Sequence, residues 1–235
     1  LKYVLTDNFD DLRFPPVDTY PAQVRSDIKQ YLKNMDEGVL IGRAQFDYYL
    51  TPKENHHFMA SAGILEDMFS GVGIEYLYAK PNLNYAYGFE IFDVQKRDYE
   101  WGFGLLDYRN TTYTANFYYR NYGYIPFDMK FSAGEYLAWD IGSTIEFSRT
   151  FRSGVNFGVF ATFTDVSFEQ FGEGSFDKGI YVHIPIDFFA LFRSKNWRLA
   201  GIAGTTYKPL TRDGGAKLAM NRELYFMVEE SSMYD

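Results

Sequence analysis

The chain is 235 residues long, carries no cysteine, and is 20% aromatic, far more than a soluble core of this size requires. Its formal net charge of −8 and pI near 5.0 argue against nucleic acid as a partner. The missing thiols exclude disulfides and thiolate metal sites, and no run approaches the ~18 apolar residues of a membrane helix, so any membrane crossing falls to strands.

Residues 1–37 read as a lead-in and residues 38–235 as one large β-domain. In the lead-in, Phe14-Pro-Pro16 interrupts regular structure and Pro21 suits the first turn of a helix. Val24, Ile28, Tyr31 and Leu32 then recur at helical spacing, predicting a short amphipathic helix within 23–33. Its plainest placement is a surface-packed entry to the β-domain; capping that domain or sitting in its mouth are the alternatives. The chain opens on Leu1 with neither methionine nor signal peptide, as expected of a mature or excised portion.

From residue 38 a two-residue alternation predicts strands at 38–51, 57–66, 71–79, 83–95, 100–108, 111–122, 125–136, 138–151, 153–165, 178–188 and 196–207, with a further one within 223–228. The clearest run is Ile125-Pro-Phe-Asp-Met-Lys-Phe-Ser-Ala133, where Phe127, Met129, Phe131 and Ala133 alternate with Asp128, Lys130 and Ser132. Successive strand side chains point to opposite faces, so each such strand has one greasy and one wet face. The usual segment length is close to the ~9–11 residues with which a tilted strand crosses hydrocarbon. Most connections are short, but 165–178 and 208–222 are long. With strict alternation of direction, both long connections fall on the outside of a bacterial outer-membrane barrel.

Charge separates the two phases. The apolar phase holds Leu40, Phe46, Tyr48 and Leu50, then Val72, Ile74, Tyr76 and Tyr78, then Tyr85, Tyr87, Phe89 and Ile91. Later segments continue it with Phe117, Trp139, Ile145, Phe157 and Ile180, and exceptions such as Arg149 fall at segment ends. An arginine or lysine at the bilayer midplane costs roughly 2–4 kcal/mol, so an uncharged phase is what a lipid face requires. The other phase collects Arg43, Asp47, Glu75, Glu90, Lys130, Asp140, Glu146, His183 and Arg198 as candidate lumen-lining residues. It also collects small residues (Ala86, Gly88, Ser132, Gly142, Thr144, Gly158) that suit a confined interior, and tyrosine and tryptophan gather toward segment ends as at a membrane interface. The expected fold is an all-β antiparallel transmembrane barrel of about 10–12 strands with a short N-terminal helix. The competing reading is a soluble β-sandwich that binds carbohydrate through exposed aromatics.

Four stretches are recognisable as a set. Leu65-Glu-Asp-Met-Phe-Ser-Gly-Val-Gly-Ile-Glu-Tyr-Leu-Tyr78 resembles a segment of the YjbH/GfcD family of exopolysaccharide and capsule outer-membrane proteins. So do Val94-Gln-Lys-Arg-Asp-Tyr99, Phe168-Glu-Gln-Phe-Gly-Glu-Gly-Ser-Phe-Asp-Lys-Gly179 and Pro209-Leu-Thr-Arg-Asp-Gly-Gly215, in an order and spacing that fit. The resemblance covers most of the chain. It implies an outer-membrane barrel of a Gram-negative bacterium that takes part in export or assembly of a surface polysaccharide. Outer-membrane lipid, polysaccharide and periplasmic or outer-membrane proteins of the pathway are its implied partners. Family members are longer and often begin with a lipoprotein signal, so this cysteine-free chain would correspond to the C-terminal barrel portion. The resemblance brings no catalytic residue with it.

The remaining chemistry is sparse. Glu169, Glu173 and Asp177 lie in a glycine-rich stretch whose spacing matches no calcium loop, so strand-joining turns explain it better than a ligand loop. Asp213-Gly214 is an ordinary turn signal, and Arg212 and Lys217 read as a solvated loop rather than as contacts for an acidic sugar. The lumen charges either line a path for a hydrophilic polymer or pair across a narrow, filled bore, the latter suiting ~10–12 strands. His56 and His57 sit in a predicted turn, and His183 lies roughly 13 Å from Asp187 on an extended strand, too far for a direct hydrogen bond. A barrel enzyme acting on lipid or polysaccharide is therefore the weaker alternative, and no metal or cofactor is expected.

Overall fold

The computed structural model describes residues 2–3, 22–35, 39–151, 155–166, 176–185, 204–207, 213–219, 224–225 and 227–228, and the structural statements below concern these residues. Strands are β1 (Lys2–Tyr3), β2 (Val39–Leu40), β3 (Ala44–Lys53), β4 (His56–Ile64), β5 (Phe69–Ala79) and β6 (Tyr85–Arg97). They continue as β7 (Leu105–Asn121), β8 (Phe127–Glu135), β9 (Ile141–Thr150), β10 (Asn156–Thr164), β11 (Asp177–Pro185) and β12 (Gly204–Tyr207), and the helix α1 covers Ile28–Lys33. β1 and β2 form a separate antiparallel pair, with Lys2 opposite Leu40. The other ten strands form one antiparallel sheet in strict chain order from β3 to β12. No pairing joins β3 to β12 among the described residues. From β3 to β9 each neighbour is reached by a hairpin, because antiparallel partners need only a short turn. The tightest is Glu54–Asn55, where Asn55 takes a φ of +67°, a left-handed conformation that asparagine tolerates.

Four predicted segments are redrawn. The segments 100–108 and 111–122 are one 17-residue strand, β7. The polar run Asp107-Tyr-Arg-Asn110 imitates a turn, yet it keeps the alternation: Asp107 and Arg109 face outward while Asn110 is buried. Losing one strand reverses the direction of every later one. The 165–176 connection therefore lies at the end where β3 starts, not at the opposite end as strict counting had it. The expected strand 38–51 divides into β2 and β3, and Leu224, Tyr225, Met227 and Val228 are helical rather than extended.

The two faces of the sheet have opposite character. Outward stand Phe46, Tyr48, Leu50, Val72, Ile74, Tyr87, Phe89, Phe117, Phe131, Phe147, Phe157 and Phe163, all exposed; Phe46 is 70% accessible. At the edge of this band toward α1, with Val72 directly opposite Asp93, Asp93 on β6 and Arg109 on β7 form an outward-facing ion pair. Inward, Ser61, Glu75, Thr114, Asn116, Ser132, Thr144 and Thr162 are buried. A soluble sandwich buries its apolar phase and wets the polar one; here the assignment is reversed.

Inner glycines make room for rings from the neighbouring strand. Phe92 lies across its register partner Gly73, and a Cβ there would meet the ring at 2.0 Å; Tyr181 covers Gly158 in the same way. α1 packs by one face, with Tyr31 buried while Gln30 and Lys33 stay exposed. Val24 and Tyr31 are fully buried with Leu65, Met68, Phe69, Trp101, Leu137 and Ala216, closing what we term the helix end of the sheet. Each such side chain contributes about 1.5–3 kcal/mol of burial. A second cluster of Met59, Leu77, Ala86, Tyr118, Leu224 and Tyr225 sits toward the far end, where the 54–55, 80–84 and 122–126 turns lie.

Candidate functional site

The inner face is the candidate site, because there the sheet concentrates its charge and meets the rest of the chain. Alternation brings Asp47, Glu75, Glu90, Lys130, Glu146 and His183 to this face as predicted from their phase. Asp47 accepts hydrogen bonds from Gln45 Nε2 and Ser61 Oγ, each 2.6 Å. Glu90 accepts one from the Thr114 hydroxyl. Arg120 Nε donates to Asp128 Oδ1 at 2.5 Å. Lys130 is the register partner of Glu146 and lies 5.5 Å from the Tyr118 ring centre, within cation–π range. His183 pairs in register with Asn156 and Thr206.

Several of these carboxylates grip the chain's own C-terminal segment. Glu75 accepts the backbone N–H of Leu224, at 3.2 and 3.3 Å to its two oxygens. Asp140, predicted on a strand, lies instead in the β8–β9 connection and accepts the Gly215 N–H at 2.5 Å. Burial raises its carboxyl from the ordinary value to about 6, against the lowering effect of that amide. Glu146 Oε1 stands 3.5 Å from Lys217 Nζ. Arg43, just before β3, donates to the Ala219 carbonyl at 2.7 Å, and burial lowers its pKa. Farther along, the Tyr225 ring stacks on Tyr118 with centroids 4.1 Å apart.

The loop candidates divide. Asp213 is not a solvated turn residue: it is 1% exposed, and its Oδ1 accepts the backbone N–H groups of Val24, Arg25 and Ser26 at 2.8, 2.6 and 2.9 Å. Lys217 is likewise half-buried on the inner face rather than solvated. Asp177 is buried at the start of β11. Arg198, Glu169, Glu173, Arg212 and Asp187 lie outside the described residues. His56 and His57 begin β4 rather than forming its turn, and His56 Nδ1 is 2.9 Å from the Tyr76 hydroxyl.

Sequence reasoning passed over the ion pairs of the helix end. Arg25 forms a two-pronged pair with Glu66 at 2.6 and 3.0 Å and reaches the Lys217 carbonyl at 2.8 Å; Glu66 also accepts the Ala219 N–H at 2.7 Å. Lys96 pairs with Asp27. Arg97, fully buried, donates to the carbonyls of Asp67, Ile41 and Gly102. The signal was present: Glu66, Lys96 and Arg97 sit within two of the family-like stretches. Among the described residues no group of histidine, aspartate and glutamate is placed to hold a metal ion.

An antiparallel all-β sheet, greasy outside and polar inside, defines the class. The family described as exopolysaccharide biosynthesis protein YbjH matches residues 1–230, and the chain belongs to this YjbH family. It is 35% identical over 234 residues to "Uncharacterized lipoprotein YjbH" of Escherichia coli (strain K12), covering 97% of this chain and 32% of that protein. The chain thus spans about a third of the length of that relative. No solved structure matches it.

Proposed function

We propose that the ten-stranded sheet closes through β3 and β12 into a barrel of the bacterial outer membrane, and that the barrel takes part in secretion or surface assembly of exopolysaccharide without catalysing a reaction. The observation that carries this reading is the inverted sheet, with an apolar face exposed whose charges fall toward the strand ends and a polar phase turned inward. Membership of an exopolysaccharide biosynthesis family supports the pathway. The name lipoprotein, borne by the Escherichia coli relative, supports a membrane setting. Outer-membrane lipid is then the partner of the outer face, and polysaccharide and other proteins of the export pathway are the partners of its interior and ends.

Fractionation with a heat-modifiability gel tests the reading. A barrel is expected in the outer-membrane fraction, and after detergent extraction the unboiled protein should migrate faster than the boiled one. Recovery in the soluble fraction with no heat shift would overturn it.

A further inference from the structure

Two segments far apart in the chain meet at the helix end. Asp213 accepts the backbone N–H groups of Val24, Arg25 and Ser26, and Arg25 reaches back across the contact to the Lys217 carbonyl. The joined unit, residues 22–35 with 213–219, touches the turns at this end in succession. Arg25 pairs with Glu66 of the β4–β5 turn. The Tyr31 ring stands edge-on to Tyr99 and Trp101 of the β6–β7 turn, and its backbone carbonyl accepts the Trp101 indole N–H at 2.7 Å. Leu137 of the β8–β9 turn donates its N–H to the Ala216 carbonyl, and Gly215 lies against Thr162 of β10. From β4 to β10 is most of the circumference of a closed ten-stranded sheet, so the unit lies across its bore as a floor.

Buried charge fastens this floor. The Arg25–Glu66 and Lys96–Asp27 pairs are almost wholly shielded from solvent, and Asp213 is buried with them. Arg97, also buried, donates to the Asp67, Ile41 and Gly102 carbonyls, and its own carbonyl accepts the Tyr31 hydroxyl at 2.6 Å. Lifting the floor would separate each of these pairs and strand a charge in a dry setting, the costly way to break a buried pair. It would also bare Val24, Tyr31, Leu65, Trp101, Leu137 and Ala216 together. Local opening is cheap where apolar contacts are few and hydrogen bonds are exposed. The helix end has the opposite character, so opening it approaches the cost of unfolding the domain.

We propose that the floor is a fixed seal, that the barrel is a blind vessel rather than a conduit, and that polysaccharide does not thread its bore. This rests on the barrel reading above.

Because the chain has no cysteine, an introduced pair reports alone. Thr162→Cys/Gly215→Cys suits a staple between floor and sheet: a Cβ on Gly215 would stand 3.3 Å from that of Thr162, just short of the ~3.5–4.5 Å of a disulfide. The single-cysteine variants control for strain at Gly215, whose φ is +73°. Wild-type protein that shows the heat shift is first recorded in planar bilayers, where it should insert and carry no steady conductance above that of the protein-free bilayer. A steady conductance overturns the seal and leaves the barrel standing. Exopolysaccharide output is then compared between cells carrying the oxidised pair and cells carrying either single variant. Equal output is expected; loss of output on stapling overturns the seal, because a floor that has to move is a gate. A pair that stays reduced in heat-modifiable protein also overturns it, since the floor is then not seated on β10. Should the pair block assembly, the wild-type conductance decides alone. Absence of a heat shift in the wild type overturns the barrel and the seal together.

Discussion

On the outer face Val72, Phe117, Phe131 and Phe163 stand exposed, whereas on the inner face Glu75, Thr114, Ser132 and Thr162 are buried on the same strands. Both faces follow from one alternation, yet they satisfy different demands. The outer face needs only the absence of charge, a composition rule any apolar residue meets. The inner face needs specific partners, because a buried carboxylate or hydroxyl without one costs several times what a lost apolar contact does. Substitutions should therefore be read by chemistry outside and by identity inside.

The largest effect is expected at Glu66, whose removal strands the buried Arg25 and frees the Ala219 amide. Glu66→Ala should destabilise by about 3–5 kcal/mol, read as a lower midpoint of the heat-shift transition. Phe117→Arg comes next. It should cost roughly 2–4 kcal/mol and block membrane assembly, while Ser148→Lys, facing Asp128 on the inner phase, should assemble normally. Equal behaviour of these two variants would erase the distinction between the faces.

Asp140 supplies a pH dependence. Its native carboxyl titrates near 6 and its unfolded one near 4, so in between the native state holds a proton that the unfolded state has lost. Stability should thus fall as pH rises from about 4 to about 6, by about 2 kcal/mol. Asp140→Asn should flatten that slope. Tyr225→Leu should have the smallest effect, about 1 kcal/mol from the lost stack on Tyr118, with no change in assembly.

Much of the sheet was legible in the sequence because its period is local. Phe127 to Ala133 and Tyr85 to Ile91 declare their faces without reference to any partner. β7 misled because Arg109-Asn110 carries turn composition, while the ladder to β6 that overrides it lies many residues away. The inner-face residues of the strands were legible by phase, but their partners were not. Nothing near Glu75 in the sequence points to Leu224, 149 positions later, nor anything near Asp213 to Val24. Such pairings belong to the tertiary fold alone. The family-like stretches did contain Glu66, Lys96 and Arg97, which the structure buries in ion pairs and carbonyl contacts.

In the proposed barrel, the Asp93–Arg109 pair on the outer face would act as a draught mark. One alternating step above it, about 7 Å away, stand Ile91 and its partner Tyr113, and exposed Val72 lies directly across from Asp93, so the greasy band reaches the level of the charges. Riding lower would drown the ion pair in hydrocarbon; riding higher would lift two large rings or branched chains into water. A barrel floating between those limits would have a narrow range of resting depths, and β6 and β7, the two longest described strands, would be where that depth is written.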